Sequence, residues 1–184
     1  MGGKGMSDRL KKYLSDNYSD VKTDLFSAFM VRNTFLTLPK GQLGFMTPFV
    51  WMFISSYEKL REFIINEKTI TSLVQLEYSG FDGATVPICT FTLENAHNPE
   101  YLGGYIKLSD FKGSENQAPK TLEAIKNKEC GWFYLTNSQK FIQLPSSPIA
   151  YWISNKLVNL FKNTKIGDIA EPKQGMATTD NNRF

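Results

Sequence analysis

The sequence predicts an α/β fold that resembles the second half of a doubly wound domain, in which helices and strands alternate. A helical run at residues 24–30 leads into a short apolar run at 43–46, and a helix with a start signal follows at 55–65. Strand-like segments at 70–78 and 86–93 close the series. Since a half domain seldom forms a whole chain, the order of elements indicates a piece of a larger fold.

The first predicted elements are two helices. A polar helical patch spans residues 8–18, and Ser7 is in position to cap its N-terminus. Ser19 or Asp20 is in position to cap the second helix. The inward face of that helix is predicted, from a spacing of three to four residues, to hold Leu25, Phe26, Phe29 and Met30.

A strand and a third helix come next. The continuous apolar run at 43–46 is typical of a strand buried on both faces. Ser55 and Glu58 fit a capping box, in which each side chain accepts a hydrogen bond from a free backbone N–H at the helix start. The buried side of the helix is predicted to carry Tyr57, Leu60, Ile64 and Ile65. The side toward water is predicted to carry Lys59, Arg61 and Glu62.

A glycine-containing turn joins the strands at 70–78 and 86–93, and the chain after Asn95 predicts a small α+β extension. The elements of the extension are a strand at 103–108, a helix at 119–128 with Pro119 in its first turn, a strand pair at 132–144 and an amphipathic helix at 147–161.

Composition limits the class of protein. The 184 residues, 41% apolar and 21% charged, suffice for one ordinary domain with a core, and the net charge of +3 neither proves nor excludes a nucleic-acid partner. The sequence contains neither the ~18 uninterrupted apolar residues of a membrane span nor the apolar core of a signal peptide. A soluble, cytoplasmic protein is expected.

No set of catalytic or metal-binding residues emerges from spacing alone. Cys89 and Cys130 are interpreted as two buried, reduced thiols, and the single histidine, His97, as a surface residue. The glycines at residues 2–5 lack the preceding strand that a nucleotide-binding loop requires. We therefore expect no metal.

A series of short motifs carries a resemblance to a known family. In chain order they are Asp24-Leu25-Phe26-x-x-Phe29, Gly41-x-Leu43-Gly44-Phe45-Met46-Thr47-Pro48-x-x-Trp51, Ser56-Tyr57-x-x-Leu60-Arg61, Phe81 and Val86-x-Ile88-x-Thr90. In this order the chain resembles the gamma-type adenine-specific DNA methyltransferases. It is most similar to the large methyltransferase of bacteriophage-exclusion (phage growth limitation) systems, and the resemblance covers essentially the whole chain.

The resemblance implies the C-terminal half of a Rossmann-like methyltransferase sheet, mixed and with its last strand antiparallel, followed by the α+β extension. Residues 1–95 would complete the catalytic domain, 96–163 would form a connector, and 164–184 would begin a truncated target-recognition domain. The family's cofactor loop and Asn-Pro-Pro-Tyr motif are absent from the sequence, and residues 1–6 look like those that follow that motif.

The resemblance also implies a function, the methylation of a flipped-out adenine at N6 with S-adenosylmethionine in restriction-modification or phage defence. Phe81 aligns with the aromatic residue that stacks on the flipped base, and Phe26 with the one against the adenine ring of the cofactor. A core aromatic and an ordinary helix anchor are the alternative roles. Thr47, Pro48 and Trp51 could line the site or support it structurally, and the chain itself holds no catalytic residue.

The implied partners are double-stranded DNA and the missing N-terminal half of the methyltransferase. In the family, the strand at 43–47 lies beside the strand that bears the catalytic motif. Without that neighbour it would present an unpaired edge, so self-association is expected. The isolated chain is expected to bind S-adenosylmethionine poorly and to transfer no methyl group.

Two other functions stay open. The chain could be a non-catalytic remnant that binds DNA or a partner protein, or an unrelated α/β interaction protein. In the first case the phosphate contacts would come from basic residues near the C-terminus, which otherwise form a solvated helix face. These residues are Lys156, Lys162, Lys165, Lys173 and Arg183.

Overall fold

The computed structural model describes residues 2–83, 86–164 and 166–171. In these ranges five strands form one mixed sheet, which confirms the predicted α/β class. The strands are β1 (Gln42–Pro48), β2 (Thr69–Gln75), β3 (Ile88–Glu94), β4 (Leu102–Lys107) and β5 (Phe133–Asn137). The α-helices are α1 (Asp8–Asn17), α2 (Leu25–Leu36), α3 (Glu58–Glu67), α4 (Ser114–Lys126), α5 (Gln139–Ile142), α6 (Asn155–Leu160) and α7 (Ile166–Ile169). No helix in the described ranges has the length and apolarity needed to cross a bilayer.

The strand order is β1-β3-β2-β4-β5. β3 lies between β1 and β2 and runs antiparallel to both, so β1 and β2 point the same way and their carboxyl ends lie at the same end of the sheet. β4 pairs with β2 in parallel, and β5 with β4 in antiparallel orientation. The strands of the predicted extension therefore continue the sheet built by residues 1–95.

Two cores lie on opposite faces of the sheet. The larger core joins α1, α2 and α3 to inward side chains such as Leu43, Phe91 and Tyr105. The smaller core lies under α4, where Ala124 packs with Ile106 and Leu108. The larger core therefore covers the first face, whereas the smaller core covers the second face over β2, β4 and the start of β5.

The second face of β1 is open. Leu43 and Thr47 are buried, whereas Gly44 is exposed and Met46 is 48% exposed, so the predicted burial on both faces is wrong for this chain. An apolar run of this kind is typical of a strand covered on both faces, but the described residues leave the second face of β1 exposed. Among those residues, β1 pairs with β3 alone, and its other edge has no neighbouring strand.

The start of α2 differs from the prediction. Residues Ser19–Val21 form a 3₁₀ turn, and the Asp24 carboxylate caps the helix by accepting a hydrogen bond from the Phe26 N–H at 3.4 Å. Phe29 was expected inside but is 54% exposed. The small residues Ser27 and Ala28 are buried instead, together with the predicted Met30, and the Ser27 hydroxyl donates to the Val21 carbonyl at 2.9 Å.

The start of α3 also differs from the prediction. Residues Ser55–Tyr57 form a 3₁₀ turn, and α3 begins at Glu58 without a side-chain cap, so the capping box is wrong. The predicted buried side is confirmed. Arg61, however, is fully buried rather than solvated.

The extension is less regular than predicted. α4 begins at Ser114 and contains Pro119 in its interior, and the expected strand pair is one strand, β5, followed by the short α5. The last predicted helix begins only at Asn155, since residues 149–151 are buried in an irregular segment. The spacing of apolar residues there reflects packing on the sheet, where Tyr151 stacks on Tyr105 with ring centroids 4.9 Å apart.

The open edge of β1 predicts self-association of the isolated chain at micromolar concentration, because an exposed strand edge with apolar side chains recruits partners. Met46→Lys should weaken it by placing a charge on the exposed face. Sedimentation velocity measures the effect. Leu122→Lys on α4, also an exposed apolar position, is the matched control and should leave association unchanged. A stable wild-type monomer would contradict the prediction.

Candidate functional site

Three predicted site residues lie toward the end of the sheet where β1 and β2 have their carboxyl ends. Pro48 ends β1, and Phe81 lies in the loop after β2. The start of α2 reaches the same end of the sheet. Its Phe26 ring contacts Tyr57, in the segment after β1, with ring centroids 5.5 Å apart. Open α/β sheets bind ligands at the carboxyl ends of their strands.

Phe81 projects from a tight loop and is 49% exposed. Gly80 before it is buried, and its N–H donates to the Glu77 carbonyl at 2.9 Å. Gly83 after it has a φ of 77°, in the left-handed region that favours glycine. The glycines allow a turn that holds the ring outside the sheet, and nearly half of the side chain can contact a ligand.

Phe26 is half-buried in the first turn of α2 and packs against the larger core. Gly2 forms an isolated β-bridge with Asp24, the cap of the same helix. The N-terminal segment therefore passes beside the start of α2. This segment is the one that resembles the residues after the family's Asn-Pro-Pro-Tyr motif.

Thr47 and Trp51 form a buried cluster at the carboxyl end of β1. Trp51 has no exposed surface, its Nε1 donates to Thr47 Oγ1 at 3.2 Å, and its ring centroid lies 5.0 Å from that of Phe91. Cys89 Sγ lies 3.7 Å from the same hydroxyl, and burial raises the pKa of this thiol to about 11. This placement fits the structural alternative for Thr47 and Trp51, whereas Pro48 is half-buried.

The basic residues that could contact phosphates are only partly described. Lys156 in α6 and Lys162 just after it are exposed. Lys165, Lys173 and Arg183 lie outside the described residues. The two exposed lysines fit phosphate contacts and a solvated helix face equally well.

Among the described residues, the histidine and the two cysteines show no further site. His97 is exposed, as predicted, whereas Cys130 is only half-buried, so the prediction of two buried thiols holds for Cys89 alone. Within the described part of the chain, no group of three or more histidine, cysteine or acidic side chains could hold a metal ion.

Sequence reasoning missed the role of Arg61, which is hydrogen-bonded to two backbone segments at this end of the sheet. Its Nη1 donates to the carbonyls of Trp51 and Ile54, each at 2.7 Å. Its Nε donates to the carbonyls of Ser146 and Ser147 at 3.1 Å, and its Nη2 to Ser146 at 2.7 Å. The charge is satisfied by carbonyl dipoles, and burial lowers the pKa of the guanidinium. A helical pattern assigns an arginine to the water side by default, so only the motif that contains Arg61 marks it.

Comparison with known proteins identifies the relatives of this chain. Residues 1–81 match the model of the Eco57I restriction-modification methylase family. The chain is 31% identical over its whole length to the adenine-specific methyltransferase PglX of Lacticaseibacillus casei. Over 88% of its length it is 32% identical to the adenine-specific methyltransferase BrxX of Escherichia coli. The homologues of this chain are adenine-specific methyltransferases. This finding confirms the resemblance read from the motifs, and this chain spans 16% and 13% of the length of these two relatives.

Solved structures show the fold of this chain. A type I restriction-modification methyltransferase subunit from Streptococcus thermophilus superposes with a TM-score of 0.55 and 16% identity, over 73% of this chain and 32% of that one. A type I modification subunit from Vibrio vulnificus superposes with a TM-score of 0.52 and 9% identity, over 70% and 31%. The mixed sheet is therefore Rossmann-like, as predicted.

The bonds of Arg61 predict that Arg61→Met lowers the free energy of unfolding by about 3 kcal/mol or more. The carbonyls of Trp51 and Ser147 lose buried hydrogen bonds at about 1–3 kcal/mol each. Those of Ile54 and Ser146 lose partly buried ones. Urea denaturation monitored by circular dichroism measures the change. Arg32→Met, at an exposed position of α2, is the matched control and should leave the midpoint unchanged. Equal midpoints for the two variants would contradict the role of Arg61.

Proposed function

We propose that this chain is the base-stacking portion of a DNA adenine N6-methyltransferase of restriction-modification or phage-defence type, and that it acts as part of a longer protein. The main support is the 31% identity, over the whole chain, to an adenine-specific methyltransferase. Double-stranded DNA is the proposed substrate, and the remaining part of the catalytic domain is the proposed partner of the open β1 edge.

The proposed role of Phe81 follows from the position of the reacting atom. The exocyclic nitrogen of adenine is paired inside the duplex, so the enzyme must extrude the base before it can react. An aromatic side chain then holds the base by stacking, which contributes about 1–3 kcal/mol per base. The half-exposed ring of Phe81, in the loop that follows the carboxyl end of β2, is suited to this contact.

The proposed cofactor is S-adenosylmethionine, which supplies the methyl group as a sulfonium when bound. Phe26 fits one side of its adenine ring, since the side chain is half-buried beside the start of α2. The sequence has no glycine-rich cofactor loop, so the contacts to the rest of the cofactor must come from elsewhere in the longer protein.

This division of contacts predicts that the isolated chain binds S-adenosylmethionine weakly and transfers no methyl group. Isothermal titration calorimetry measures the affinity directly. A micromolar dissociation constant for the isolated 184-residue chain would contradict the proposed division.

The function itself is tested in a chimera. This chain replaces the matching segment of the Lacticaseibacillus relative, and transfer of tritiated methyl groups to unmethylated DNA is measured. Phe81→Ala should lower kcat/KM by about 5- to 150-fold, the equivalent of one stacked base, while Phe81→Tyr should retain activity. Phe35→Ala, at an exposed position of α2, is the control.

Two outcomes would contradict the proposal. The first is a chimera that folds but methylates no DNA while the host enzyme is active. The second is equal activity of Phe81→Ala and Phe35→Ala. Binding of DNA by the isolated chain, with an affinity that falls steeply as salt is raised, would instead favour the non-catalytic binding module. The exposed Lys156 and Lys162 would then be the candidate phosphate contacts.

A further inference from the structure

The loop that carries Phe81 is fixed by a side chain from α4, Gln117. This residue is 5% exposed. Its Oε1 accepts a hydrogen bond from the Glu77 N–H at 3.1 Å, where the chain leaves β2. Its Nε2 donates to the carbonyls of Phe111 at 2.6 Å and Gly113 at 2.9 Å. Both polar atoms of the carboxamide are thus satisfied.

The carboxamide also supports the loop at the residue before Phe81. A Cβ added to Gly80 would lie 2.8 Å from both Cδ and Oε1 of Gln117, so the carboxamide packs directly on the Gly80 backbone and a larger residue there would displace it. Gln117 therefore contacts the loop at two points, the Glu77 N–H and the Gly80 backbone. Phe81 follows the second point directly.

The orientation of Gln117 is set by its own surroundings. Exchanging its oxygen and nitrogen would point the amide N–H groups at the Glu77 N–H, and would leave two carbonyls facing an oxygen. The helix that carries it is held on the sheet by Ala124, which is fully buried in the smaller core. The loop is consequently attached to a rigid element with a fixed hydrogen-bond geometry.

We propose that Gln117 is a positioning residue for Phe81, so that the segment after β3 sets where the stacking ring stands. A ring held in place before the base arrives loses less conformational freedom on binding than a mobile one. The catalytic meaning of this inference rests on the proposed stacking role of Phe81. The attachment itself can be measured without DNA.

The test is amide hydrogen exchange by NMR on the 184-residue chain. Gln117→Met keeps an unbranched side chain but loses both hydrogen-bonding functions. Protection of the Glu77 amide should fall about fivefold or more, the effect expected for loss of one hydrogen bond, while the Phe91 amide in β3 keeps its protection. Asn116→Met, which replaces the neighbouring exposed carboxamide, is the matched control and should leave Glu77 protected.

Gly80→Ala tests the contact from the other side, because its methyl group would collide with the Gln117 carboxamide. It should also lower protection of the Glu77 amide without changing Phe91. The inference is overturned if Glu77 keeps its protection in Gln117→Met, or loses it equally in Asn116→Met. It is also overturned if all core amides lose protection together in both Gln117→Met and Gly80→Ala.

Methylation by the chimera separates this inference from the proposed function. Gln117→Met should reduce kcat/KM in the same direction as Phe81→Ala. If Gln117→Met loosens the loop but Phe81→Ala has no effect on methylation, the stacking role fails and the attachment stands. If Phe81→Ala lowers kcat/KM while Gln117→Met leaves both loop and methylation unchanged, the inference on Gln117 alone fails.

Discussion

The backbone around the carboxyl end of β1 is held in place by one buried cation, the guanidinium of Arg61. A charge without exposed surface must be satisfied by hydrogen bonds, and here backbone carbonyls satisfy it. Two of these carbonyls follow β1, and two belong to Ser146 and Ser147, whose φ angles of 60° and 50° are unusual for residues other than glycine. Arg61 therefore joins the segment after β1 to the segment after β5.

The second property of the fold is that it is asymmetric. The larger core and α4 cover most of the sheet, yet Gly44 and Met46 of β1 are exposed on its second face. Phe35 and Leu38, near the end of α2, are exposed as well. Exposed apolar groups of this kind are typical of surfaces that contact further protein. They agree with the small share of the curated relatives that this chain spans.

Pattern and propensity predicted the long elements better than the special contacts. Alternating helices and strands, the buried side of α3 and the Ser7 cap could be predicted because each depends on local spacing or on one side chain. The both-face burial of β1 and the solvation of Arg61 were wrong because both depend on neighbours distant in sequence. The proposed roles of Phe26 and Phe81 came from resemblance, since an aromatic at an element end has no local signature of a ligand contact. Gln117 had none either.

Contact between Phe81 and an extruded base can be detected by photochemical crosslinking. Sequencing of DNA modified by the chimera first locates the methylated adenine. A duplex with 5-iodouracil at that position is then irradiated in complex with the chimera, and the attached peptide is mapped by mass spectrometry. We expect a crosslink at Phe81 that Phe81→Ala abolishes. A crosslink confined to peptides outside the loop between β2 and β3 would contradict it.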